Sequence, residues 1–263
     1  MKKSVLITGS SHGIGAACAI AFAKEGYDIG VNYCSSSADA EEVAAKCREY
    51  GADAQVYQAD VSKRVQCEAM LNAFIGHFGK IDVLVNNAGG ALKMPKGGFA
   101  DMPMDYWENQ IDLNLNSAAF CSHIAAKDMI SKNIHGAIIN ISSIHSAVTW
   151  VRRKALPYSA GKAGLNMFTK SIGVELIQYG INVNCIAPGL IYTHIMSRYS
   201  EKNIEGFNRK IPAGHGGQPE DIVPMVLFLA DKEKSGFIVG QTIFIDGGQS
   251  IDGAIDSMLD EEY

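Results

Sequence analysis

Apolar residues fall along this chain in short unbroken runs, separated by longer stretches with helical periodicity. The runs Val5–Thr8, Asp28–Tyr33, Ala54–Gln58, Asp82–Asn86, Ala137–Ile141, Asn182–Ile186 and Thr242–Ile245 read as strands. They are continuous rather than alternating, the pattern of parallel strands covered on both faces. Helical patterns lie between them, at Gly13–Lys24, Ala38–Tyr50, Val65–Phe78, a long stretch Asp105–Lys132, Tyr158–Tyr179 and Asp221–Ala230. Parallel strands joined through helices require right-handed crossovers. The expected fold is therefore α/β, a doubly wound parallel sheet of about seven strands with helices on both faces. No repeat, low-complexity tract or linker divides the chain, so residues 1–248 are expected to form one domain. Two segments break the rhythm. Residues 192–217 mix Ile195, Met196, Tyr199, Ile204 and Phe207 with charges, as an amphipathic lid would, and residues 249–263 form an acidic tail.

Composition narrows the class. At 263 residues, 47% hydrophobic and 19% charged, the chain suits one compact globule. No apolar run approaches the roughly 20 residues needed to span a bilayer. Val5-Leu6-Ile7 is too short for a signal-peptide core, so the sequence reads as cytoplasmic with no membrane partner. The formal charge of −5 comes from the tail, where Asp252, Asp256, Asp260, Glu261 and Glu262 lie without a Lys or Arg; the body is formally neutral. A neutral body offers no basic face for nucleic acid. Cys18, Cys34, Cys47, Cys67, Cys121 and Cys185 are scattered at spacings that fit neither a disulfide framework nor a metal site, and read as reduced thiols. The seven histidines form no metal pattern, and no metal is expected; His145 and His194 fall near the expected pocket and read as surface or hydrogen-bonded structural residues.

Two local patterns carry chemistry. Thr8-Gly9-Ser10-Ser11-His12-Gly13-Ile14-Gly15 follows the first strand and opens the first helix. Glycines there permit a tight turn and let backbone N–H groups approach a pyrophosphate, while the helix N-terminus contributes partial positive charge. Tyr158 and Lys162 stand four residues apart, on one helix face. An ammonium beside a phenol favours phenolate, and a tuned tyrosine can exchange a proton with an oxygen while hydride moves at the adjoining carbon. Either pattern alone is common.

Further motifs accompany them in order. Asn86-Asn87-Ala88-Gly89 ends the fourth strand, Asn114 lies in the long helical stretch, Ser143 precedes Tyr158, and Pro188-Gly189 with Thr193 follows the sixth strand. Together with Thr-Gly-x-x-x-Gly-x-Gly, this set resembles the short-chain dehydrogenase/reductase family from Val5 to about Gly248. The resemblance implies a Rossmann-type fold and an NAD(P)-dependent oxidoreductase acting on a secondary alcohol or ketone. It implies Tyr158 as general acid/base, Lys162 as the group that lowers its pKa and holds the nicotinamide ribose, and Ser143 as the positioner of the substrate oxygen. Ser142 is the rival of Ser143. Asn114 would hold a water in a proton relay from Lys162. The implied cofactor set comprises Gly9, Ser11, His12, Gly13, Ile14 and Gly15 at the turn. Tyr33, Ser35, Ser36, Asp60 and Val61 serve the adenosine end. Asn87, Ala88 and Gly89 lie along the ribose, and Tyr158, Lys162, Pro188, Gly189, Ile191 and Thr193 lie at the nicotinamide end. Asp60 also reads as a helix N-cap.

The end of the second strand, Asn32-Tyr33-Cys34-Ser35-Ser36-Ser37, holds no acid to bind a ribose 2′-hydroxyl, which favours NADP(H) over NAD(H). The usual basic residue for a 2′-phosphate is also missing, since His12 and Cys34 stand in its two places. Ser35, Ser36, backbone amides and His12 would have to serve. The Ser143–Tyr158 interval is slightly longer than is usual in relatives, in a loop expected to line the substrate pocket.

Substrate choice should be written in Gly90–Phe99 with Met94 and Lys96, in Ser146–Pro157 with Trp150 and Arg152-Arg153-Lys154, and in Tyr192–Gly217. Apolar groups beside a basic cluster point to a hydrophobic substrate with an acidic end, although the cluster also reads as a solvated loop or subunit contact. Gly89-Gly90 and Phe99-Ala100-Asp101-Met102-Pro103-Met104 look like stretches of bacterial hydroxysteroid (bile acid) dehydrogenases. The alternatives are a 3-oxoacyl-[acyl-carrier-protein] reductase, a glucose or sugar dehydrogenase, or a nucleotide-binding module without catalysis; such modules typically lose the tyrosine, lysine or glycines that are present here. The family resemblance further implies a homotetramer, or a homodimer, assembled through the long helices.

Overall fold

A computed structural model describes residues 2–92, 95, 98–149, 156–194 and 200–251. Met94, Lys96, Trp150, Arg152-Arg153-Lys154, Ile195, Met196, Tyr199 and the five tail acids lie outside the described residues. Seven parallel strands form one sheet in the order β3-β2-β1-β4-β5-β6-β7. They are β1 (Ser4–Ile7), β2 (Asp28–Tyr33), β3 (Ala54–Gln58), β4 (Val83–Asn86), β5 (Ala137–Ile141), β6 (Asn182–Pro188) and β7 (Thr242–Ile245). The helices between them are α1 (Gly13–Lys24), α2 (Ser37–Glu49), α3 (Arg64–Phe78), α4 (Met104–Ile111), α5 (Ser117–Ser131), α6 (Leu156–Leu176), α7 (Glu201–Asn208), α8 (Pro219–Ala230) and α9 (Lys232–Ser235).

Successive strand residues point to opposite faces, and both faces are packed. Val5 and Ile7 join Phe22 of α1, Val43 of α2 and Val226 of α8 in one core, whereas Leu6 joins Leu71 and Phe74 of α3 and Met129 of α5 in the other. Burial on both sides is why the strands carry unbroken apolar runs. In β1 register, Ile7 pairs with Val31 on one side and Val85 on the other. Chain order reverses across β1 and β4, so a crevice opens beyond their carboxyl ends, the usual ligand position of an open α/β sheet.

The expected bounds shift by a few residues at most, except in two places. The stretch read as one helix, Asp105–Lys132, is α4 and α5 joined by a five-residue π-helical turn, Asp112–Asn116. The lid segment contains α7, which the apolar pattern did not mark as a helix because its eight residues present no buried stripe.

Candidate active site

The glycine turn is held in place mostly by side chains of neighbouring strands. Gly9 has φ +60°, and a Cβ on it would lie 2.9 Å from Ala88 Cα, so both conformation and contact exclude a side chain. A Cβ on Gly15 would meet Asn87 Nδ2 at 2.6 Å and Gly9 O at 2.7 Å. Asn32 on β2 anchors the turn: its Oδ1 accepts from Gly9 N at 2.9 Å, while its Nδ2 donates to the carbonyls of Tyr33, Tyr57 and Ala59 at 3.3, 3.1 and 3.2 Å. Ser10 Oγ donates to Ile7 O at 2.7 Å and accepts from Asn32 N at 3.1 Å. The sequence reading passed over Asn32 and Ser10. The available signal was a polar residue inside an apolar strand, which needs buried partners.

The end of β4 is laced to the same turn. Asn87 Nδ2 donates to Thr8 O and Gly9 O at 2.9 and 3.0 Å, and the amides of Asn87 and Ala88 donate to Thr8 Oγ1, both at 3.0 Å. His12, Gly13 and Ile14 line the cleft beside Asn87, Ala88 and Gly89; Ser11 and Gly15 are buried and do not line it. At the adenosine end, Ser35 is exposed and Ser36 stands at the N-cap of α2 without a side-chain cap bond; Tyr33 is partly buried and Val61 buried. None of these four lines the cleft. Asp60 is not the N-cap of α3, which is Lys63; its carboxylate instead accepts from Ser62 N at 3.0 Å in the turn before that helix. Beyond burial, the Asp60 charge helps to raise the thiol of Cys34, so Asp60 acts electrostatically at the end of β2.

The second wall begins where β5 ends. Ser142 Oγ donates to Lys162 O at 3.2 Å and its amide to Ile186 O at 2.7 Å, which ties that residue to the scaffold. Ser143 lies close enough to Tyr158 to favour its phenolate, and its Oγ accepts from His145 N at 3.2 Å. Of the two serines, Ser143 is the one that acts on the phenol. One turn further along α6, Lys162 lies buried, donates from Nζ to Ile141 O at 2.8 Å, and sits 5.9 Å from the Tyr158 ring centroid. Burial holds Lys162 down at about 8, with the neighbouring Cys185 thiol opposing slightly. Burial also raises Tyr158 above the ordinary phenol value, against the pull of Ser143. This differs from the expectation that the lysine lowers Tyr158. Both groups have lost hydration, and desolvation disfavours the charged form of each.

Asn114 occupies the π-helical turn, buried behind Gly89. Its Nδ2 donates to Gly90 O at 3.1 Å and Gln110 O at 3.0 Å, and its Oδ1 accepts from Gly90 N at 2.9 Å. The π-helical turn inserts one extra residue into the helix and aims this carboxamide at the Gly89-Gly90 segment. A Cβ on Gly89 would lie 2.9 Å from both Asn114 Oδ1 and Lys162 Nζ, so the bare backbone sits between the two side chains.

Pro188, Gly189, Ile191 and Thr193 close the cleft after β6, and Ile191 forms a parallel bridge with Gly217. Tyr192 Oη donates to Asn208 Oδ1 at 2.6 Å and accepts from Gly216 N at 3.1 Å, which ties the end of α7 to the scaffold. The resulting cleft of about 410 Å³ contains every predicted nicotinamide-end residue, and also His145, His194, Leu190 and Phe207. His145 packs edge-on to Tyr158 at 5.7 Å between ring centroids. Both histidines expected near the pocket line the cleft. Among the described residues, no three His, Cys, Asp or Glu side chains gather as a metal site, and no helix is long and apolar enough to cross a membrane.

A glycine cradle at the switch point of a parallel sheet, opposite a serine, a tyrosine and a buried lysine, defines a dinucleotide-dependent oxidoreductase. Gly9 and Gly13 of the turn line the cleft, where backbone without a Cβ suits the approach of a pyrophosphate. Residues 9–250 match the family model described as enoyl-(acyl carrier protein) reductase. Among curated relatives, the chain is 36% identical over 251 residues to 3beta-hydroxysteroid dehydrogenase 1 of Eggerthella lenta, covering 95% of this chain and 94% of that protein. It is 38% identical over 248 residues to the 3-oxoacyl-[acyl-carrier-protein] reductase of Staphylococcus aureus, covering 94% and 98%. The crystal structure of acetoin dehydrogenase from Enterobacter cloacae superposes with a TM-score of 0.87 at 34% identity, covering 97% and 98%. The chain belongs to the short-chain dehydrogenase/reductase family, oxidoreductases that use NAD(P) and act on CH–OH and carbonyl groups.

Proposed function

We propose that this enzyme interconverts a secondary alcohol and a ketone on a hydrophobic, hydroxysteroid-like substrate, with NADP(H) preferred over NAD(H). The reading rests above all on Ser143, Tyr158 and Lys162 lining the same cleft as the glycine turn. The nicotinamide supplies or accepts the hydride. In the reductive direction, negative charge grows on the substrate oxygen, and Ser143 and Tyr158 are donors already positioned to meet it. Tyr158 gives up its proton there, and Lys162 at 5.9 Å from the ring centroid offsets the charge left behind. Tyr158→Phe is expected to reduce turnover by at least about a hundredfold while NADPH still binds; substantial residual turnover would remove this role from Tyr158.

For the substrate, Ile144, Leu190 and Phe207 supply an apolar surface around the polar pair, and the hydroxysteroid relative supports the same class. A β-ketoacyl thioester is the second reading, favoured by the 38% identical reductase. Reduced-nicotinamide absorbance with a panel of hydroxysteroids, hexoses and acetoacetyl thioesters separates them. Absence of turnover with every steroid sinks the first reading. For the cofactor, residues 32–37 at and after the end of β2 carry no acidic side chain of their own, and Ser35 and Ser36 offer hydroxyls. A tenfold higher kcat/KM with NAD(H) would overturn that preference. We further propose a cytoplasmic homotetramer, with residues 1–248 as the catalytic unit and 192–217 as its lid.

A further inference from the structure

His12 stands at the N-cap of α1 in extended conformation, with φ −161° and ψ 174°, yet its side chain makes no capping hydrogen bond. Its ring instead lies 4.0 Å from that of His194, tilted by 54°. The two histidines come from opposite walls. His194 follows Thr193, whose Cγ2 lies 3.2 Å from the position of a Cβ on Gly13, so the segment after β6 rests directly on the glycine turn. Both rings are exposed at the rim of the cleft, and both line it.

Two imidazoles this close oppose each other's protonation, because the second proton would place two cations side by side. Burial and His194 push His12 below the usual imidazole range; Asp39, in the first turn of α2, pulls upward, and the first turn of α1 carries no acid. A phosphate anion at the turn would reverse this balance, since it favours the charged ring and its N–H donors. Resting on the nucleotide-site reading above, we infer that His12 and His194 form an imidazole clamp on the cofactor pyrophosphate that takes up a proton from solvent as the dinucleotide binds. His12 supplies one jaw from the turn, and His194 supplies the other from the lid side. Cofactor affinity then rises as pH falls, because protons are bound in the complex and not in the free protein.

NADH is the suitable probe, because its pyrophosphate keeps its charge near neutrality, unlike a 2′-phosphate with pKa about 6. Its dissociation constant, followed by fluorescence from pH 8 to pH 6, should fall by up to about tenfold per pH unit for one proton taken up. Calorimetric titration in two buffers of different ionisation heat counts that proton directly. Lys162 titrates at about 8 in the same cleft, so the share of the pair is the part lost on mutation. His12→Gln and His194→Gln should each flatten the profile, and the double variant should lose the proton uptake near pH 6 to 7. An unchanged slope and proton count in the double variant would sink the clamp, as would NADH binding by the wild type with no uptake in this range. Failure of NADH and NADPH to bind at any pH would instead sink the nucleotide reading itself.

Discussion

Lys162 carries the sharpest consequence of burial at the scale of one residue. Folded, it releases its proton at about 8 rather than its ordinary 10.5. Between those values the unfolded chain holds more protons than the folded one, so this group makes the protein more stable as pH rises through the window. Relative to Lys162→Met, the wild type should gain up to about 1.4 kcal/mol per pH unit from pH 8 to pH 10. Urea midpoints of both proteins across that range provide the check, and a constant difference would mean that the amine is not desolvated. Gly89 is a residue with no slack at the catalytic wall. Gly89→Ala places a methyl 2.9 Å from Lys162 Nζ and Asn114 Oδ1. A displacement of about 1 Å at a catalytic group costs about a hundredfold, so kcat should fall on that order while far-ultraviolet circular dichroism stays unchanged. The sequence named Gly89 as a cofactor residue; its tighter role between two side chains emerges only from packing.

Between elements, order is carried by amides inside the sheet. Asn86 Nδ2 donates to Ser122 Oγ at 3.0 Å and to Asn140 Oδ1 at 2.8 Å, and Asn140 Nδ2 donates to Thr169 Oγ1 at 2.8 Å, linking β4, β5, α5 and α6 beneath the catalytic wall. Asn32 does the corresponding work beneath the glycine turn. Asn32→Leu keeps the volume but leaves Gly9 N and three carbonyls without that partner. A buried group left unpaired costs about 1–3 kcal/mol, so the variant should lose at least that much stability in a urea titration and bind NADH more weakly. Undiminished NADH affinity would show that the turn holds its shape without β2. These amides were hidden in strands read simply as apolar, because a periodicity argument counts residues without asking where each donor goes. The π-helical turn escaped for a related reason. One extra residue scarcely disturbs the helical pattern of Asp105–Lys132, yet it turns Asn114 toward Gly90.

For the whole molecule, α6 leaves two large apolar side chains uncovered on one face. Met167 and Val174, two turns apart on one face, are 60% and 73% exposed. Large apolar side chains repeated on one helix face fit burial against a second surface. Under the proposed assembly, light scattering should report four copies of the 28.3 kDa chain, and charged substitutions at both positions should lower that mass. A wild-type monomer would remove the assembly proposal and leave the catalytic reading intact.

The order of strands and helices along the chain and the glycine turn were legible in the sequence itself, and the family resemblance named Ser143, Tyr158 and Lys162. Unbroken apolar runs record burial on both faces, and backbone chemistry at a phosphate turn tolerates few residue types. Tertiary structure alone decided that burial sets the charge preferences of Tyr158 and Lys162, and that His12 meets His194 across the cleft. Those outcomes depend on through-space distances and lost hydration between segments far apart along the chain, and neither quantity is encoded in local pattern.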